Sequence, residues 1–560
     1  MSRIAGAGVR PGTMLPPGSD LAGPVPGWGA RVLAWTAGAG ISSSILIMIW
    51  ASLLRSSWQT PALVMPSVGP PWELQSVHVS VRVVTVALWL ATILGAGGVA
   101  AGVAAVRGGV RVSARAVLGT GLLVVAVLTV LPPVGSTDVL NYATYGRIVV
   151  IGHSPYVMTP YQLRMLHDAY SGSVPVEWQN HVTLYGPLAT FEEFVSALLG
   201  GTSAARIVFW LKMWNAIAFG AVAVAAHRVL RSDPAARLRA HLLWTINPLL
   251  LWSAIAAGHV DVLGAAVGVF GLLVVGARPA LGTSTARGAG PVEAAGRAET
   301  AGRLSLARWP AVRPGPLRAV LAGVLIGIAA DIKIFYVLLG FGLAWVLRRS
   351  LRDLTVAVGG ALAVLVPTYA WFGPPAITAL LDRRNKATAD NFYQLLSGPN
   401  GYVTSHVALV ASVIVGCLAV LTLWRLPARV PAPPAIQPAL ALSVAWLFVW
   451  PYQLPWYDVM IVCLLVLYPA SRLDWLVLAR LTAGTIAIMP GNPWLPPGHL
   501  LTALARISLY KVVPAVLLAS ALGLVALCLS GRWKLRPSAV GPHGGRGSRA
   551  PVAPGTAAVR

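Results

Sequence analysis

The stretch GSTDVLNYATYGRIVVIGHSPY, Gly135–Tyr156, interrupts a chain otherwise dominated by long apolar runs. It follows an apolar run over 116–134, and the next run begins only at 207. Apolar runs near twenty residues have the length needed to cross a bilayer as a helix, so the stretch opens a long loop at one membrane surface. At its centre is Asp138, one of only 17 acidic residues in the protein. A carboxylate placed so near the end of a hydrophobic span is a candidate functional group.

The composition agrees with that membrane setting. With 560 residues, 56% hydrophobic and only 11% charged, the chain lies outside the range of soluble globular domains. The formal charge of +25 raises the question of nucleic acid, but the basic residues sit in short loops and tails rather than in one patch interleaved with aromatics, so no nucleic-acid partner is expected. Cys417, Cys463 and Cys528 lie in or beside apolar runs without paired spacing, which supports neither a disulfide framework nor a zinc site. The first hydrophobic run is long enough to span and is not followed by a small-residue cleavage site, so it reads as a first span and not as a removable signal.

The apolar runs fall at 34–54, 83–105, 116–134, 207–227, 241–257, 260–277, 317–330, 334–347, 354–372, 404–424, 436–451, 457–470, 475–490 and 508–530. The expected fold is an all-α polytopic membrane protein of about fourteen transmembrane helices, with interfacial helices in the outer loops. It divides into a tail at 1–33, a membrane domain at 34–530 and a tail at 531–560. Both tails are expected to be cytoplasmic and disordered, and so is the Gly/Ala/Pro/Arg-rich loop 279–315. With the N-terminus inside, Arg107, Arg111 and Arg115, then Arg228, Arg231, Arg237 and Arg239, then Arg348, Arg349 and Arg352 all fall in inside loops, as the positive-inside rule favours. The loop 135–206 then faces outward, with the turns at His259–Asp261, Asp331–Lys333, Gly373–Thr404 and Pro451–Tyr457. Lys212 and Arg480 fall within spans and read as snorkelling side chains.

Nearly every unusual polar residue gathers on the outward face. Ser136, Thr137 or Asp138 suits the N-cap of a helix from Val139 to Ile151. Capping is compatible with chemistry, because a cap fixes the carboxylate, and a well-placed aspartate can take a proton from an acceptor hydroxyl. His259-Val260-Asp261 follows Asn247-Pro248-Leu249 and suits either a hydrated turn or contact with a sugar or its phosphate; too few ligands are evident for a metal. Asp331 and Lys333 read as an ion pair capping a turn, or Lys333 faces a phosphate, as Arg147 or Arg383 would. Arg383, Arg384 and Lys386 face outward against the topological bias, which marks them as candidates to hold an anion. Pro451-Tyr452-Gln453-Leu454-Pro455-Trp456-Tyr457 is a proline-stiffened aromatic turn whose rings would stack on pyranose faces.

The runs STDVLNYATYGRIVVIGHSPY, YGPL at Tyr185–Leu188, NPLLLWSAIAAGHVDVLGAAVG at Asn247–Gly268 and WPYQLPWY at Trp450–Tyr457 occur in order. Together, over about residues 80–500, the chain resembles the actinobacterial polyprenol-phosphate-mannose-dependent α-1,6-mannosyltransferases of lipomannan and lipoarabinomannan, which are GT-C glycosyltransferases. The resemblance implies a GT-C-like bundle in a bacterial plasma membrane with its active site on the outer face. It also implies a polyprenyl-phosphate mannose donor, a lipid-anchored mannan acceptor, and transfer by inversion. Asp138 matches the family's expected base. Tyr142, Tyr145, Arg147, Tyr156, Tyr185, His259, Asp261, Lys333, Arg383, Arg384, Trp456 and Tyr457 are the expected substrate-binding residues. The family commonly has Asn between the His and the acid, where this chain has Val260, which removes an amide from the expected sugar site. No cofactor is implied, and a divalent metal at the phosphate is left open. Two competing functions are a transferase of another polyprenyl-phosphate sugar such as arabinose, and a lipid or sugar transporter or flippase. A transporter would place charges and broken helices at mid-bilayer in related halves.

Overall fold

The computed structural model describes residues 26–54, 63, 65–73, 79–168, 178–276, 312–381, 386–397, 404–426, 432–488 and 500–533. Most of the loop 279–315, most of both tails, and Arg383 and Arg384 lie outside them. Among the described residues the chain is helical, without a β-strand. In lipid a segment must satisfy its own backbone groups, and a helix does so within itself.

The first half comprises α1 (Trp28–Leu53), α2 (Val81–Arg107), α3 (Ala114–Val130), α4 (Asp138–Val150), α5 (Pro160–Met165), α6 (Pro187–Gly200), α7 (Ala204–Val229), α8 (Pro234–Leu243) and α9 (Asp261–Gly276). The second half comprises α10 (Pro316–Ile332), α11 (Val337–Leu347), α12 (Leu351–Phe372), α13 (Pro374–Leu381), α14 (Ser405–Arg425), α15 (Ile436–Val449), α16 (Asp458–Leu465), α17 (Leu473–Ile488), α18 (Leu500–Ile507) and α19 (Val513–Ser530). Polar residues start many of them: the side chains of Ser80, Ser113, Ser203, Asp233 and Ser350 each accept a hydrogen bond from a backbone N–H of the first turn.

Each apolar run coincides with a helical segment. Six of these are long and apolar enough to cross a membrane: α1, α2, α7, α12, α14 and the continuous pair α18–α19, Leu500–Ser530. The run at 241–257 is not one straight span. It breaks at Asn247-Pro248, continues as a π-helical turn over Leu251–Ala256, and the Pro234–Ala256 segment then meets α9 at 113°. The apolar helices Ala114–Val130, Ile334–Leu347, Ile436–Val449 and Pro455–Leu465 are shorter. The first helix begins at Trp28, six residues before the apolar run that marks it.

Small residues set the closest helix approaches, as in membrane bundles generally. A Cβ on Gly98 would lie 2.7 Å from the Ile41 nitrogen, and one on Gly360 2.6 Å from the Val320 carbonyl oxygen. The pairs α1–α2 and α10–α12 therefore pack nearly backbone to backbone.

Candidate active site

Segment 131–137 brings the chain from α3 to α4. Val134 N–H donates to the Ala256 carbonyl at 3.1 Å, and Gly135, at φ +99°, leaves room for the Trp252 ring where any Cβ would overlap it. Thr137 is the N-cap of α4 but makes no side-chain cap bond, and Asp138 is the first helical residue, its N–H bonded to Ser136 Oγ at 3.2 Å. Asp138 thus sits in the helix's first turn, where the dipole favours a negative charge, rather than capping it. Its side chain keeps 21% of its surface while that of His259 keeps none. This carboxylate is therefore reachable from outside.

Tyr142 follows at i+4 on the same helix face. Its hydroxyl lies 3.2 Å from His259 Nδ1 and accepts from the Tyr185 hydroxyl at 3.1 Å. Burial, and then the Lys333 ammonium, hold the His259 ring well below its ordinary pKa, so it is neutral near pH 7. Burial first, then Tyr185 and Asp138, raises the Tyr142 hydroxyl well above the phenol range; burial first, then Asp138, raises that of Tyr185, against the opposing effect of its hydrogen bond to Tyr142. Asp138 Oδ2 is 3.9 Å from His259 Nδ1. His259 Nε2 is buried without a hydrogen-bond partner among the described residues.

His259 reaches this place because the chain turns at Gly258, whose φ of +76° suits glycine. The ring stacks on Trp456 at 3.6 Å and 16°. Two residues on, Asp261 opens α9 and takes Lys333 Nζ at 2.9 and 3.0 Å, while its backbone carbonyl accepts the Tyr336 hydroxyl at 2.6 Å. The ammonium is also caged by rings: Tyr457 at 4.3 Å, Tyr185 and Phe335 at 5.3 Å. Val260 between them is buried in the apolar cluster of Val139, Ala143 and Ile332. The middle position of this motif thus serves packing.

The structure therefore gathers Asp138, Tyr142, Tyr185, His259, Asp261, Lys333, Trp456 and Tyr457, and separates other expected residues from them. The Tyr145 hydroxyl donates to the His181 carbonyl at 2.9 Å, and its ring packs with Ile148 and Leu163. Arg147 forks onto Asp168 at 2.8 to 3.2 Å. Tyr156 stands behind Tyr185, donating to its carbonyl at 2.8 Å. The expected Asp331–Lys333 pair does not form: Asp331 accepts instead from Leu188 N–H at 2.7 Å and Thr368 Oγ1 at 2.5 Å. The reason is the helix end: Asp331 still belongs to the last turn of α10, whereas Lys333 has left the helix with extended backbone, so the two side chains depart in different directions. The Tyr185-Gly186-Pro187 turn rests on this point, and a Cβ on Gly186 would overlap the Asp331 carbonyl. Lys386 lies over Trp178 at 5.6 Å.

Two intramembrane cations do not snorkel. Lys212, fully buried, donates to the Leu128 and Leu131 carbonyls at 2.6 and 2.7 Å, capping the end of α3 just before the site. Arg480, 3% exposed, bonds Asp458 Oδ1 at 2.8 Å and Gln453 Oε1 at 2.6 Å. Gln453 N–H in turn donates to Thr388 Oγ1 at 3.3 Å. This buried network holds the turn that carries Trp456 and Tyr457. Its signal in the sequence was Asp458 and Arg480, each next to or inside an apolar run.

Among the described residues no group of three or more His, Cys, Asp or Glu side chains could hold a metal ion. No curated protein matches the chain. The family described as alpha-(1->6)-mannopyranosyltransferase, N-terminal domain, matches residues 37–349, a range that contains Asp138, His259, Asp261 and Lys333 but not Trp456. With more than half of its length matched and a polytopic helical fold, this chain belongs to the alpha-(1->6)-mannopyranosyltransferase family and is a membrane hexosyltransferase.

Proposed function

We propose that the protein moves mannose from a polyprenyl-phosphate mannose donor to an α-1,6-mannan acceptor at the outer face of a bacterial plasma membrane, with Asp138 as base. The observation that carries this reading is the partly exposed Asp138 carboxylate at the mouth of a buried cluster of His259, Tyr142 and Lys333, with the half-buried Tyr185 beside it. In the step, the acceptor O6 hydroxyl gives its proton to Asp138 and the new C1–O6 bond forms on one face of the sugar. The C1–O bond to phosphate breaks on the other face, and the phosphate leaves with the electron pair. A single displacement inverts a β-linked donor to an α-linked product. Lys333 supplies positive potential beside Asp138 and the leaving phosphate. Its pairing with Asp261 leaves that corner without a large net charge until an anionic donor arrives.

The test is mannose transfer by the purified protein in lipid nanodiscs, from polyprenyl-phosphate mannose to a short α-1,6-mannoside, with Asp138→Asn alongside. The substitution keeps size and removes the base. We expect kcat to fall roughly a hundred- to ten-thousand-fold with donor binding retained. Wild-type turnover with an arabinose donor but not with mannose would move the assignment to another sugar. Equal rates in the two proteins would remove Asp138 from its role.

A further inference from the structure

At the Leu473 end of α17 an open groove of about 530 Å³ runs between α17 and α19, within the range of ligand pockets. One half is polar, with Arg472, Arg532 and Ser530, and Trp475 borders it; the other half is Leu476, Leu527 and the small residues Gly523 and Ala526. A Cβ on Gly523 would come within 2.9 Å of the Leu476 side chain, so glycine keeps the floor open. Arg472 N–H donates to the Trp533 carbonyl at 3.2 Å, which brings the two arginine-bearing ends together.

The charge of this corner is not balanced from within. Asp474, the nearby acid, is used by Arg239 at 2.5 and 2.8 Å and by Arg107 at 3.0 Å. Arg107 also covers the Trp475 ring at 4.6 Å. Arg472 and Arg532 are exposed, and neither forms an ion pair among the described residues. α19 ends the candidate span Leu500–Ser530, so the arginines and the tryptophan stand where a span meets the headgroup layer. The seventeen residues of α3, which starts near Arg107 and ends near Asp138, separate this end from the candidate active site by about 25 Å.

We infer that this groove binds an anionic phospholipid, the phosphate on the Arg472 and Arg532 guanidiniums and the first part of an acyl chain along Leu476, Gly523 and Leu527. Two guanidiniums match a phosphodiester by charge and geometry. The apolar half of the groove selects a lipid over a free anion. The site is independent of the transfer reaction.

The experiment is native mass spectrometry of the full-length protein in detergent, titrated with phosphatidylglycerol, phosphatidylcholine or glycerol phosphate. Phosphatidylglycerol should be retained roughly tenfold better than phosphatidylcholine, which is about 1.4 kcal/mol, and glycerol phosphate hardly at all. Arg472→Gln with Arg532→Gln should abolish the preference, whereas Arg349→Gln with Arg352→Gln, which removes two exposed charges elsewhere, should keep it. Equal retention of the two lipids overturns the proposal, as does an unchanged preference in the groove variant or binding of glycerol phosphate as tight as that of the lipid. If the groove variant proves unstable, Gly523→Leu, which fills the apolar half, should lower phosphatidylglycerol retention; unchanged retention likewise overturns the site.

Discussion

Asp138 and Tyr142 meet because they are one helical turn apart, and that much is local chemistry. The relay from Tyr185 through Tyr142 to His259 is different: its three members come from three segments, and the Tyr142 hydroxyl links the other two. Tyr142→Phe should leave the Tyr185 hydroxyl and His259 Nδ1 without partners. The usual cost of an unmet buried polar group is about 1–3 kcal/mol. We expect transfer to slow by about 5- to 100-fold, with the fold retained, because the ring itself still packs. Rates measured beside a melting curve check this; an unchanged rate would show that the Tyr142 hydroxyl does not matter to the reaction. The aromatic pair Trp456 and Tyr457 was legible as a ring-rich turn, and the sequence suggested pyranose stacking for it. The neighbours of the rings were not legible: Trp456 stacks on His259 and Tyr457 covers Lys333.

Among the elements, the one that decides the site's shape is the turn over 450–457, held from beneath by α17. Arg480 supplies one hydrogen bond to it, at Gln453, and one to the buried carboxylate of Asp458, which follows it. Arg480→Gln leaves Asp458 without its cation, a change that typically costs about 3–5 kcal/mol. Arg480→Lys keeps the charge but loses the fork. We expect the Gln variant to melt much lower, and the Lys variant to recover most of the stability while retaining a raised KM. Normal stability and kinetics in the Gln variant would mean that the turn holds its position without the network. Arg480 stood out in the sequence as a charge inside an apolar run. What it touches was not readable, since Gln453 and Asp458 lie more than twenty residues earlier, across a chain reversal.

At the scale of the molecule, one cost is visible in α6. Glu192 and Glu193 are buried with no hydrogen-bond partner for either carboxyl among the described residues. Burial pushes Glu192 up to about 8 from an ordinary value of 4.5, and burial, then its neighbour, raises Glu193 as well. The folded state therefore holds protons that the unfolded chain has released, and stability falls as pH rises from about 4.5 to about 8. Glu192→Gln should narrow the difference in melting temperature between pH 5 and pH 8, gaining on the order of one to a few kcal/mol at the upper end. The same pH difference in both proteins would count against a buried, protonated Glu192. The apolar runs by themselves determined that the chain is a polytopic helical membrane protein and where most helices lie, because in lipid each segment must satisfy its own backbone, a condition written in local composition. The ordered motifs determined the family. Only the tertiary structure decided that Lys333 pairs with Asp261 and not Asp331, that the segment Pro234–Ala256 meets α9 at a sharp bend, and that Arg147 turns away to Asp168. Those outcomes depend on where backbone breaks aim side chains and on which distant helices pack together, and no local pattern carries that information.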